Sequence, residues 1–550
     1  MSLSYGTILH FAAIVTTQVP TSSSLMPAHG SSDSLPSVLA FNLGHDGAVA
    51  SLRDGRLVFS LEAEKDSHRR HLNLGADLFF DAICKAGRVP DVVAISGWRG
   101  GPVTARPSGP AYEGVEGHHA TFTEIELFGT PTLLFRSTHE RSHLFCSYGL
   151  SPFENREPCY ALVWEGQIGS FYEINETLTI RKLKEVLRAP GYKYSFLFDL
   201  ADPTRSVGGW RHDAAGKLMA LAAYSSRGQV TRMEDSVIQR ILTTVLPPTS
   251  SKAAFTDSPY FNCGVTDEVF TELVGKFSDR LFRIFYEYAK RHLTKGFPLL
   301  IAGGCGLNCE WNSLWRDSGL FRDVFVPPIA NDSGAAVGTA IDAQFALSGR
   351  AKIGWDVYRG LEFQWDHEPD GFDVATLDVA ALAGLLAADH IVAWVQGKYE
   401  IGPRALGNRS LLAAPFAESM TARLNGIKRR EPYRPIAPVC VDEEAHRCFG
   451  VSDLSPYMLY FFKVRAPELR AVTHVDGSAR VQTLSETANP RLYSLLCAFR
   501  ERTGFGVLCN TSLNFPDRGF INRSSDLFAY AVAEGIDTVV VDDRVYTRAR

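Results

Sequence analysis

The chain has 550 residues, of which 45% are hydrophobic and 21% charged, and its formal net charge is −5 at pH 7. This length exceeds one hydrophobic core and predicts two or three domains of ~100–200 residues. The 56 basic and 61 acidic side chains give no overall basic character, which argues against a nucleic-acid partner. No apolar run reaches the ~18–20 residues that span a bilayer, so we expect no membrane partner.

The ten cysteines form no C-x-x-C pairs of the kind found in zinc ribbons, which indicates reduced thiols and a cytoplasmic protein. Residues 1–36 carry no periodic core pattern and are expected to be a disordered extension or a misassigned start, with Met26 as an alternative initiator. The sequence leaves the oligomeric state open, with a homodimer as one option.

The first apolar runs predict a strand followed by a tight hairpin. The strand is expected at 37–43 and the hairpin at 48–62, with Asp54-Gly55 as its turn. Asp-Gly between apolar runs is a strong turn signal. Because a similar strand–turn–strand pattern returns at 159–174, we predict an internally duplicated domain. The actin-like ATPase architecture, in which two related halves enclose a nucleotide, has this organisation.

The middle of the chain predicts a strand-to-glycine junction that suits a phosphate or nucleoside. A long helix is expected at 266–295, followed by a buried strand at 298–302 that ends at Gly303 and Gly304. Glycines in that position let backbone N–H groups approach a phosphate. A second strand, at 323–326, leads into a glycine-rich loop and a helix of small residues.

Composition changes between residues 348 and 370, where the chain becomes irregular and rich in glycine and aromatic residues. We therefore place the domain boundary at about Gly354, with residues 37–354 as the first domain and 355–550 as the second.

Two histidines stand one helical turn apart in the segment His-Glu-Arg-Ser-His at 139–143. Histidines at i and i+4 share a helical face and can converge on one divalent ion. The spelling also fits the His-Glu-x-x-His pattern of zinc peptidases, in which the glutamate is the general base. Two unrelated surface histidines explain the segment equally well. A metal site needs a third ligand, for which Asp332 is the candidate, although an aspartate at a helix start also serves as an N-cap.

A second polar pair, His45-Asp46, directly follows the first strand and lies between glycines. Side chains at such a strand end are well placed to reach a ligand phosphate or a reacting group.

Residues 398–434 carry a local excess of positive charge, with eight Lys or Arg against three Glu. Arginine forks bind phosphate and carboxyl-like oxygens bidentately. Pro, Gly and apolar residues alternate with these charges, which argues against a plain solvated surface. Near the C-terminus, the segment Asn-Thr-Ser-Leu-Asn at 510–514 follows an apolar run and offers amides and hydroxyls to an anion or a nucleotide.

Together these motifs resemble the O-carbamoyltransferase family of antibiotic and nodulation-factor biosynthesis, and the spelling at 44–67 is closest to the cephem branch. The segments that carry the resemblance are GHDGAVA (44–50), LEAEK to RRH (61–71), HERSH (139–143), AGKLMAL (215–221), AGGCGLNCEWN (302–312), NDSGAAVG (331–338), GKYEIGPRALGNRS (397–410), IKRREPYRPIAP (427–438) and NTSLN (510–514).

The resemblance implies an α/β chain with two functional domains. The N-terminal domain would be actin-like and similar to the tRNA threonylcarbamoyl-transfer enzyme. The C-terminal domain would be adenylate-forming and similar to threonylcarbamoyl-adenylate synthase. There, carbamoyl phosphate and ATP, with Mg²⁺, would form carbamoyladenylate. The carbamoyl group would then pass internally to a hydroxyl of a small-molecule acceptor, a secondary metabolite.

The resemblance and the residue types assign roles to individual side chains. His45 is expected to be the catalytic base or acyl-orienting group, since the ordinary pKa of histidine lies near working pH. The metal, Fe²⁺ by resemblance, is expected at His139, His143 and Asp332. Nucleotide contacts are expected from Gly303, Gly304, Asn308 and Lys217. Carbamoyl phosphate or ATP phosphates are expected at Arg404, Lys428, Arg430, Arg434 and Asn510.

The sequence departs from the family pattern at two places. Gly519-Phe520-Ile521 stands where a Gly-Glu-Pro segment is usual, and Glu165 replaces the aspartate common in the second hairpin. Four other functions stay open: a tRNA threonylcarbamoyl-type transferase, an actin-like small-molecule kinase, a zinc peptidase built on 139–143, and a non-catalytic scaffold.

Overall fold

A computed structural model of the chain describes residues 34–65, 67, 69–98, 111–205, 213–244, 252–516 and 518–549. Of the predicted N-terminal extension, residues 1–33, which include Met26, lie outside the described residues. Within the described ranges the chain is a mixed α/β fold with three large β-sheets and one two-stranded sheet.

The first sheet has the strand order β3-β2-β1-β4-β6-β5. Strands β1 to β3 are antiparallel neighbours, whereas β4 is parallel to β1 and β6 is parallel to β4. The predicted first strand and hairpin are confirmed. The strands are β1 (Val38–Asn42), β2 (Ala48–Arg53), β3 (Arg56–Glu62), β4 (Val92–Ser96), β5 (Thr121–Leu127) and β6 (Thr130–Ser137).

The second sheet repeats this arrangement in the order β11-β10-β7-β8-β9. Strands β7, β8 and β9 are antiparallel neighbours. On the other side of β7, β10 is parallel to β7 and β11 is parallel to β10. The repetition that the two hairpins predicted is therefore present in the fold. The strands are β7 (Cys159–Trp164), β8 (Gly169–Ile174), β9 (Ile180–Glu185), β10 (Leu299–Ala302) and β11 (Val324–Phe325).

Two helices, α2 (His139–Leu150) and α8 (Ala335–Ser348), share one apolar core with strands of both sheets. They pack closely because α8 begins with small residues: a Cβ added to Gly338 would lie 1.8 Å from the carbonyl oxygen of Ser142. All residues of α2 are buried as a result. The helices of this half are α1 (Ala76–Ala86), α2 (His139–Leu150), α3 (Pro190–Ala201), α4 (Ala214–Ala222), α5 (Arg232–Thr243), α6 (Glu268–His292), α7 (Cys309–Asp317) and α8 (Ala335–Ser348).

The third sheet has eight strands in the order β12-β21-β20-β13-β14-β19-β15-β18. Separate apolar cores cover its two faces. The strands are β12 (Phe372–Thr376), β13 (Val392–Val395), β14 (Arg409–Ala413), β15 (Ala437–Val441), β16 (Phe462–Lys463), β17 (Ser478–Ala479), β18 (Gln482–Leu484), β19 (Val507–Ser512), β20 (Thr538–Val541) and β21 (Arg544–Arg548), of which β16 and β17 form the small sheet. The helices are α9 (Val379–Ala387), α10 (Glu418–Ile427), α11 (Asp442–Phe449), α12 (Pro490–Thr503) and α13 (Ser524–Glu534).

The long predicted helix is confirmed as α6, and the strand before Gly303 is confirmed as β10. The division of the chain at residue 354 stays a prediction. Across the described parts of the chain, no helix is both long and apolar enough to cross a membrane.

Candidate active site

Helix α2 places two imidazoles side by side in the protein interior. The helix begins at His139 because the hydroxyl of Thr138 accepts a hydrogen bond from Arg141 N (3.1 Å) and caps the first turn. His139 and His143 lie one turn apart, both are buried, and their Nε2 atoms are 3.0 Å apart. The spacing prediction for this pair is therefore confirmed.

Two carboxylates complete a group of four potential metal ligands: His139, His143, Glu165 and Asp332. Asp332 Oδ1 lies 3.6 Å from His139 Nε2 and 3.4 Å from His143 Nε2. Glu165 Oε2 lies 3.5 Å and 4.0 Å from the same two atoms. Donors bound to one ion at ~2.1 Å lie ~3.0–3.4 Å apart, so these four atoms need only small shifts to hold a divalent ion.

The charge of this group also fits a cation. Two buried carboxylates, Glu165 and Asp332, face the two imidazoles of His139 and His143. Burial lowers the pKa of His139, but Asp332 and Glu165 outweigh it and raise the pKa to about 10. An environment that pulls a proton onto a buried imidazole in this way has a deficit of positive charge, which a metal ion would fill.

Glu165 is the ligand that sequence reasoning missed, since it was considered only as a replacement for an aspartate. It follows β7, the first strand of the second sheet, just as His45 follows β1 in the first sheet. The Tyr112 hydroxyl lies 2.9–3.0 Å from both carboxylate oxygens, and the Tyr112 ring stacks on His139 with centroids 4.4 Å apart. The duplicated strand pattern was a signal that could have pointed to this position.

Glu140, the acid of the His-Glu-x-x-His spelling, is engaged elsewhere. Its carboxylate accepts hydrogen bonds from the Tyr172 hydroxyl, from Lys182 Nζ (3.0 Å) and from Gly114 N (2.6 Å). A carboxylate so occupied is poorly placed to activate water at the neighbouring histidines. The contacts do not support a peptidase.

His45 lies beside the metal-ligand group, between two carboxylates. Its Nδ1 is 3.2 Å from Asp46 Oδ2, and its Nε2 is 3.3 Å from Asp332 Oδ2. Asp46 is in turn 2.7 Å from Nδ1 of His71. Burial lowers the pKa of His45, but Asp332 and Asp46 outweigh it and raise the pKa to about 9. The candidate base is thus adjacent to the candidate metal site.

The glycine-rich junction after β10 forms a close turn beside the same site. Gly303 has φ +94°, and a Cβ there would lie 2.5 Å from Trp164 O, so the position favours glycine. Asn308 caps α7, while its side-chain Nδ2 is buried without a hydrogen-bond partner in the described chain. A cavity of about 350 Å³ lies beside this turn. Gly304 and Asn308 line it, whereas Gly303 is not among the described residues that line it.

The fourth predicted nucleotide contact, Lys217, also lines the cavity. Its ammonium forms ion pairs with Asp213 (3.0 Å) and with Glu431 (2.7 Å). Glu431 belongs to the basic segment of the C-terminal half, so Lys217 connects the two halves across the cavity.

The cavity is lined by Arg70 from the N-terminal half and by four arginines from the C-terminal half of the chain: Arg404, Arg430, Arg434 and Arg480. Burial, together with the charges of Arg480 and Arg434, lowers the pKa of Arg404 to about 9, and burial with Arg434 lowers the pKa of Arg430 to about 9. Nε of both Arg404 and Arg480 is buried with no hydrogen-bond partner in the ranges described above. Crowded guanidinium groups with unused donors require an anion.

Arg480 was not predicted, because it lies outside the basic run, in the short link between β17 and β18. Asn510 lines the cavity, and its Nδ2 donates to Ala405 O (3.2 Å) and to Gln482 Oε1 (2.8 Å); its contact with phosphate stays a prediction.

Lys428 differs from the other predicted phosphate contacts. It is not among the described residues that line the cavity. Its ammonium donates to the carbonyl oxygen and side-chain oxygen of Asn514 and to the carbonyl oxygen of Ser512. These contacts indicate that Lys428 holds the 510–514 segment in place, which is why the local charge pattern did not reveal its role.

Both groups of side chains face one cavity of about 350 Å³. His45, Glu165 and Asp332 line it from the N-terminal half, and the arginines line it from the C-terminal half. Residues of both halves therefore belong to one candidate site.

Comparisons with known proteins give matches over most of the chain. The family description "Carbamoyltransferase C-terminus" matches residues 383–548, and "Carbamoyltransferase N-terminus" matches residues 286–341. A 3'-hydroxymethylcephem-O-carbamoyltransferase from Amycolatopsis lactamdurans is 47% identical over 93% of this chain and 99% of its own length. Nodulation protein U from Rhizobium tropici is 34% identical over 93% of this chain and 96% of its own length.

Among solved structures, full-length HypF in a phosphate- and nucleotide-bound form is similar over 58% of this chain and 57% of its own length, with 13% identity and a TM-score of 0.30. A likeness this low identifies neither a fold nor an activity.

Proposed function

This chain belongs to the carbamoyltransferase family and is an enzyme that transfers carbamoyl groups, and we propose that it is an ATP-dependent O-carbamoyltransferase. It moves the carbamoyl group of carbamoyl phosphate, through carbamoyladenylate, to a hydroxyl of a small-molecule acceptor. The observation that carries the proposal is that two groups of opposite charge line one cavity. The carboxylates of Glu165 and Asp332 form the cation-deficient group, and the arginines form the anion-deficient group.

The C-terminal half, proposed to be the adenylate-forming domain, works at the arginine end. Water releases phosphate from carbamoyl phosphate, and the carbamate oxygen then attacks the α-phosphorus of ATP and displaces pyrophosphate. Arg404, Arg430 and Arg434 neutralise the phosphate oxygens in this step, because guanidinium forks match their geometry. Mg²⁺ bound to ATP assists them. Asn510 and Arg480 contribute donors from neighbouring strands.

The N-terminal half, proposed to be actin-like, holds the transfer site. Gly304, Asn308 and Lys217 contact the nucleotide, and the acceptor hydroxyl attacks the carbonyl carbon of carbamoyladenylate and displaces AMP. His45 accepts the hydroxyl proton at Nε2 in its unprotonated form; its Nδ1 faces Asp46, and a cation bound by Asp332 would lower the raised pKa of this imidazole. His139, His143, Asp332 and Glu165 would hold a divalent ion, which supplies a positive charge to neutralise the departing phosphate.

We assign Fe²⁺ to this site on the family resemblance. The donor set of two imidazoles and two carboxylates also suits manganese, zinc or nickel. Metal analysis of the purified protein, followed by removal and readdition of each ion, tests the assignment. Activity restored by zinc alone would overturn the choice of iron.

The acceptor is proposed to be a small molecule with a primary hydroxyl. The relative from Amycolatopsis lactamdurans is named for a hydroxymethylcephem and is 47% identical, whereas the nodulation protein is 34% identical. This difference supports a hydroxymethyl-substituted acceptor of the cephem type as the first candidate to test.

The deciding experiment is mass spectrometry of candidate alcohols incubated with carbamoyl phosphate, ATP, Mg²⁺ and enzyme. A product heavier by one carbamoyl group, with release of AMP and pyrophosphate, is expected. A phosphorylated product with release of ADP would indicate a kinase instead. Turnover that requires tRNA would indicate a threonylcarbamoyl-type transferase.

A further inference from the structure

Glu62 and Lys65 are buried charged residues that the proposed chemistry does not use. They lie at the end of β3 and in the turn that follows, within the segment Leu-Glu-Ala-Glu-Lys at 61–65. Their relative exposures are 2% and 5%. Charged side chains are rarely buried to this extent unless they are paired or have a specific role.

Both side chains bind the same residue of the other half of the protein, Gly402. Glu62 Oε1 accepts a hydrogen bond from Gly402 N at 2.6 Å. Lys65 Nζ donates to Gly402 O, also at 2.6 Å. The N–H and the C=O of one glycine are thus held by a carboxyl group at the end of β3 and by an ammonium group in the turn after it. The hydrogen bond from the Lys65 ammonium is charge-assisted and therefore stronger than a neutral one.

The backbone at Gly402 has little freedom to adopt another position. Its φ is +88°, and a Cβ there would lie 2.4 Å from the carbonyl oxygen of Pro328. The ammonium of Lys65 also lies over the ring of Phe520, 3.5 Å from its centroid. The ring adds a favourable cation–π contact and so limits movement of the lysine away from the glycine.

Gly402 is followed by Pro403 and Arg404, the half-buried arginine that lines the cavity and is proposed to bind phosphate. The proline ring restricts the one residue between them. Arg404 donates to Leu307 O at 3.1 Å, and its Nε carries a hydrogen with no partner in the part of the chain that the structure describes. The direction of that unused donor therefore depends on how the backbone two residues earlier is held.

We infer that Glu62 and Lys65 are positioning residues for carbamoyladenylate formation: they belong to the N-terminal half, yet they orient Arg404 of the C-terminal half. This inference rests on the proposed role of Arg404. It means that the first half-reaction depends on contacts from both halves of the protein.

The test measures adenylate formation alone, as pyrophosphate release from ATP and carbamoyl phosphate in the full-length enzyme without acceptor. Lys65→Met should lower the rate by ~10- to 100-fold and raise the KM for carbamoyl phosphate, because small misplacements of a binding group are costly. Lys65→Arg, which keeps a cationic donor, should recover a large part of the loss. Carbamoyladenylate supplied chemically should restore transfer to the acceptor in Lys65→Met.

A matched control is Tyr460→Phe. The Tyr460 hydroxyl donates to Val324 O at 2.9 Å and so also connects the C-terminal part of the chain to the second sheet. Tyr460 is outside the described residues that line the cavity. Tyr460→Phe should form adenylate at the unaltered rate. If Lys65→Met merely weakens the contact between the two halves, Tyr460→Phe should lose a similar amount of thermal stability and also a similar amount of activity.

A double-mutant cycle separates positioning from a general structural effect. If Lys65 acts through Arg404, then Lys65→Met should reduce adenylate formation by less than ~2-fold when Arg404 is already alanine. Additive losses in a folded double variant would overturn the inference, as would an unchanged rate in Lys65→Met. If Arg404→Ala itself formed adenylate normally, the proposed function of the arginine end would fail instead.

Discussion

The two ends of the cavity have opposite deficits of charge. At the N-terminal end, Asp332 and Glu165 exceed the positive charge available from neutral imidazoles, and the pKa of His139 rises to about 10 in spite of burial. At the C-terminal end, burial and neighbouring arginines lower the pKa of Arg404 to about 9. One end requires a cation and the other requires an anion.

This contrast explains how one chain can carry out two steps on one group. In the proposed mechanism, activation of carbamoyl phosphate would produce anionic intermediates that the arginines stabilise. Transfer to an alcohol requires a base and a charge that neutralises the leaving phosphate. Because both groups line the same cavity, the proposed activated carbamoyl group would not have to leave the protein between the two steps.

The strongest test of the cation-deficient end is removal of one ligand. His139→Ala and Asp332→Ala should each lower bound metal and reduce transfer to the acceptor by at least ~10³-fold, since a metal ion supplies several kcal/mol of charge stabilisation. Metal content by mass spectrometry and product formation are the two measurements. His292→Ala, at an exposed histidine of α6 that belongs to none of the groups of potential metal ligands, is the control and should change neither. Full metal occupancy with normal turnover in both site variants would contradict the assignment.

A second test separates the two ends by half-reaction. Arg404→Ala should block pyrophosphate release as well as transfer, with a loss of ~2–5 kcal/mol, or roughly 30-fold to several thousand-fold. His45→Asn should still form carbamoyladenylate but should fail to pass the carbamoyl group to an alcohol.

Chemically supplied carbamoyladenylate provides the cross-check. It should restore transfer in Arg404→Ala and leave His45→Asn inactive. Equal loss of both half-reactions in both folded variants would mean that the two ends act as one site.

A third test concerns Arg480, which sharpens the description of the anion-deficient end. Arg480→Met keeps much of the side-chain bulk but removes the charge, and should lower adenylate formation by ~10- to 100-fold, since hydrogen bonds to charged groups are worth ~1.5–3 kcal/mol. The control is Lys428→Met, whose ammonium contacts Ser512 and Asn514. We expect its main effect on thermal stability. A larger loss of adenylate formation in the lysine variant would reverse the two roles.

The sequence predicted what depends on local spacing. His139 and His143 share a helical face, so their separation of four residues was enough to predict convergence. The hairpins, the strand ending at Gly303 and the helix at 268–292 follow from apolar periodicity and turn residues. The duplicated sheets follow from the repeated hairpin. These features depend on neighbours within about ten residues.

What the sequence could not supply depends on contacts between distant segments. Glu165 joins the metal-ligand group because the end of β7 lies close to α2, which brings its Oε2 within 3.5 Å of His139 Nε2. Arg480 joins the arginines through the pairing of β15 with β18. Lys428 has the same local surroundings as Arg430, yet its ammonium contacts the 510–514 segment. Charge density along the chain does not reveal the direction of a side chain.

The smallest predicted effect tests whether the cation-deficient end is organised by its surroundings as well as by its ligands. The Tyr112 hydroxyl hydrogen-bonds to Glu165, and its ring stacks on His139. Tyr112→Phe keeps the stacking and removes the hydrogen bond, so metal affinity should fall by ~10-fold, as is usual when a group supporting a ligand is lost. Adenylate formation, measured as pyrophosphate release, should stay unchanged because the arginine end is untouched. Tyr148→Phe, a matched change on α2 whose hydroxyl contacts Glu154 O, should leave metal affinity intact. If Tyr112→Phe bound metal as tightly as the unaltered enzyme, Glu165 would hold its position without the hydrogen bond from the Tyr112 hydroxyl.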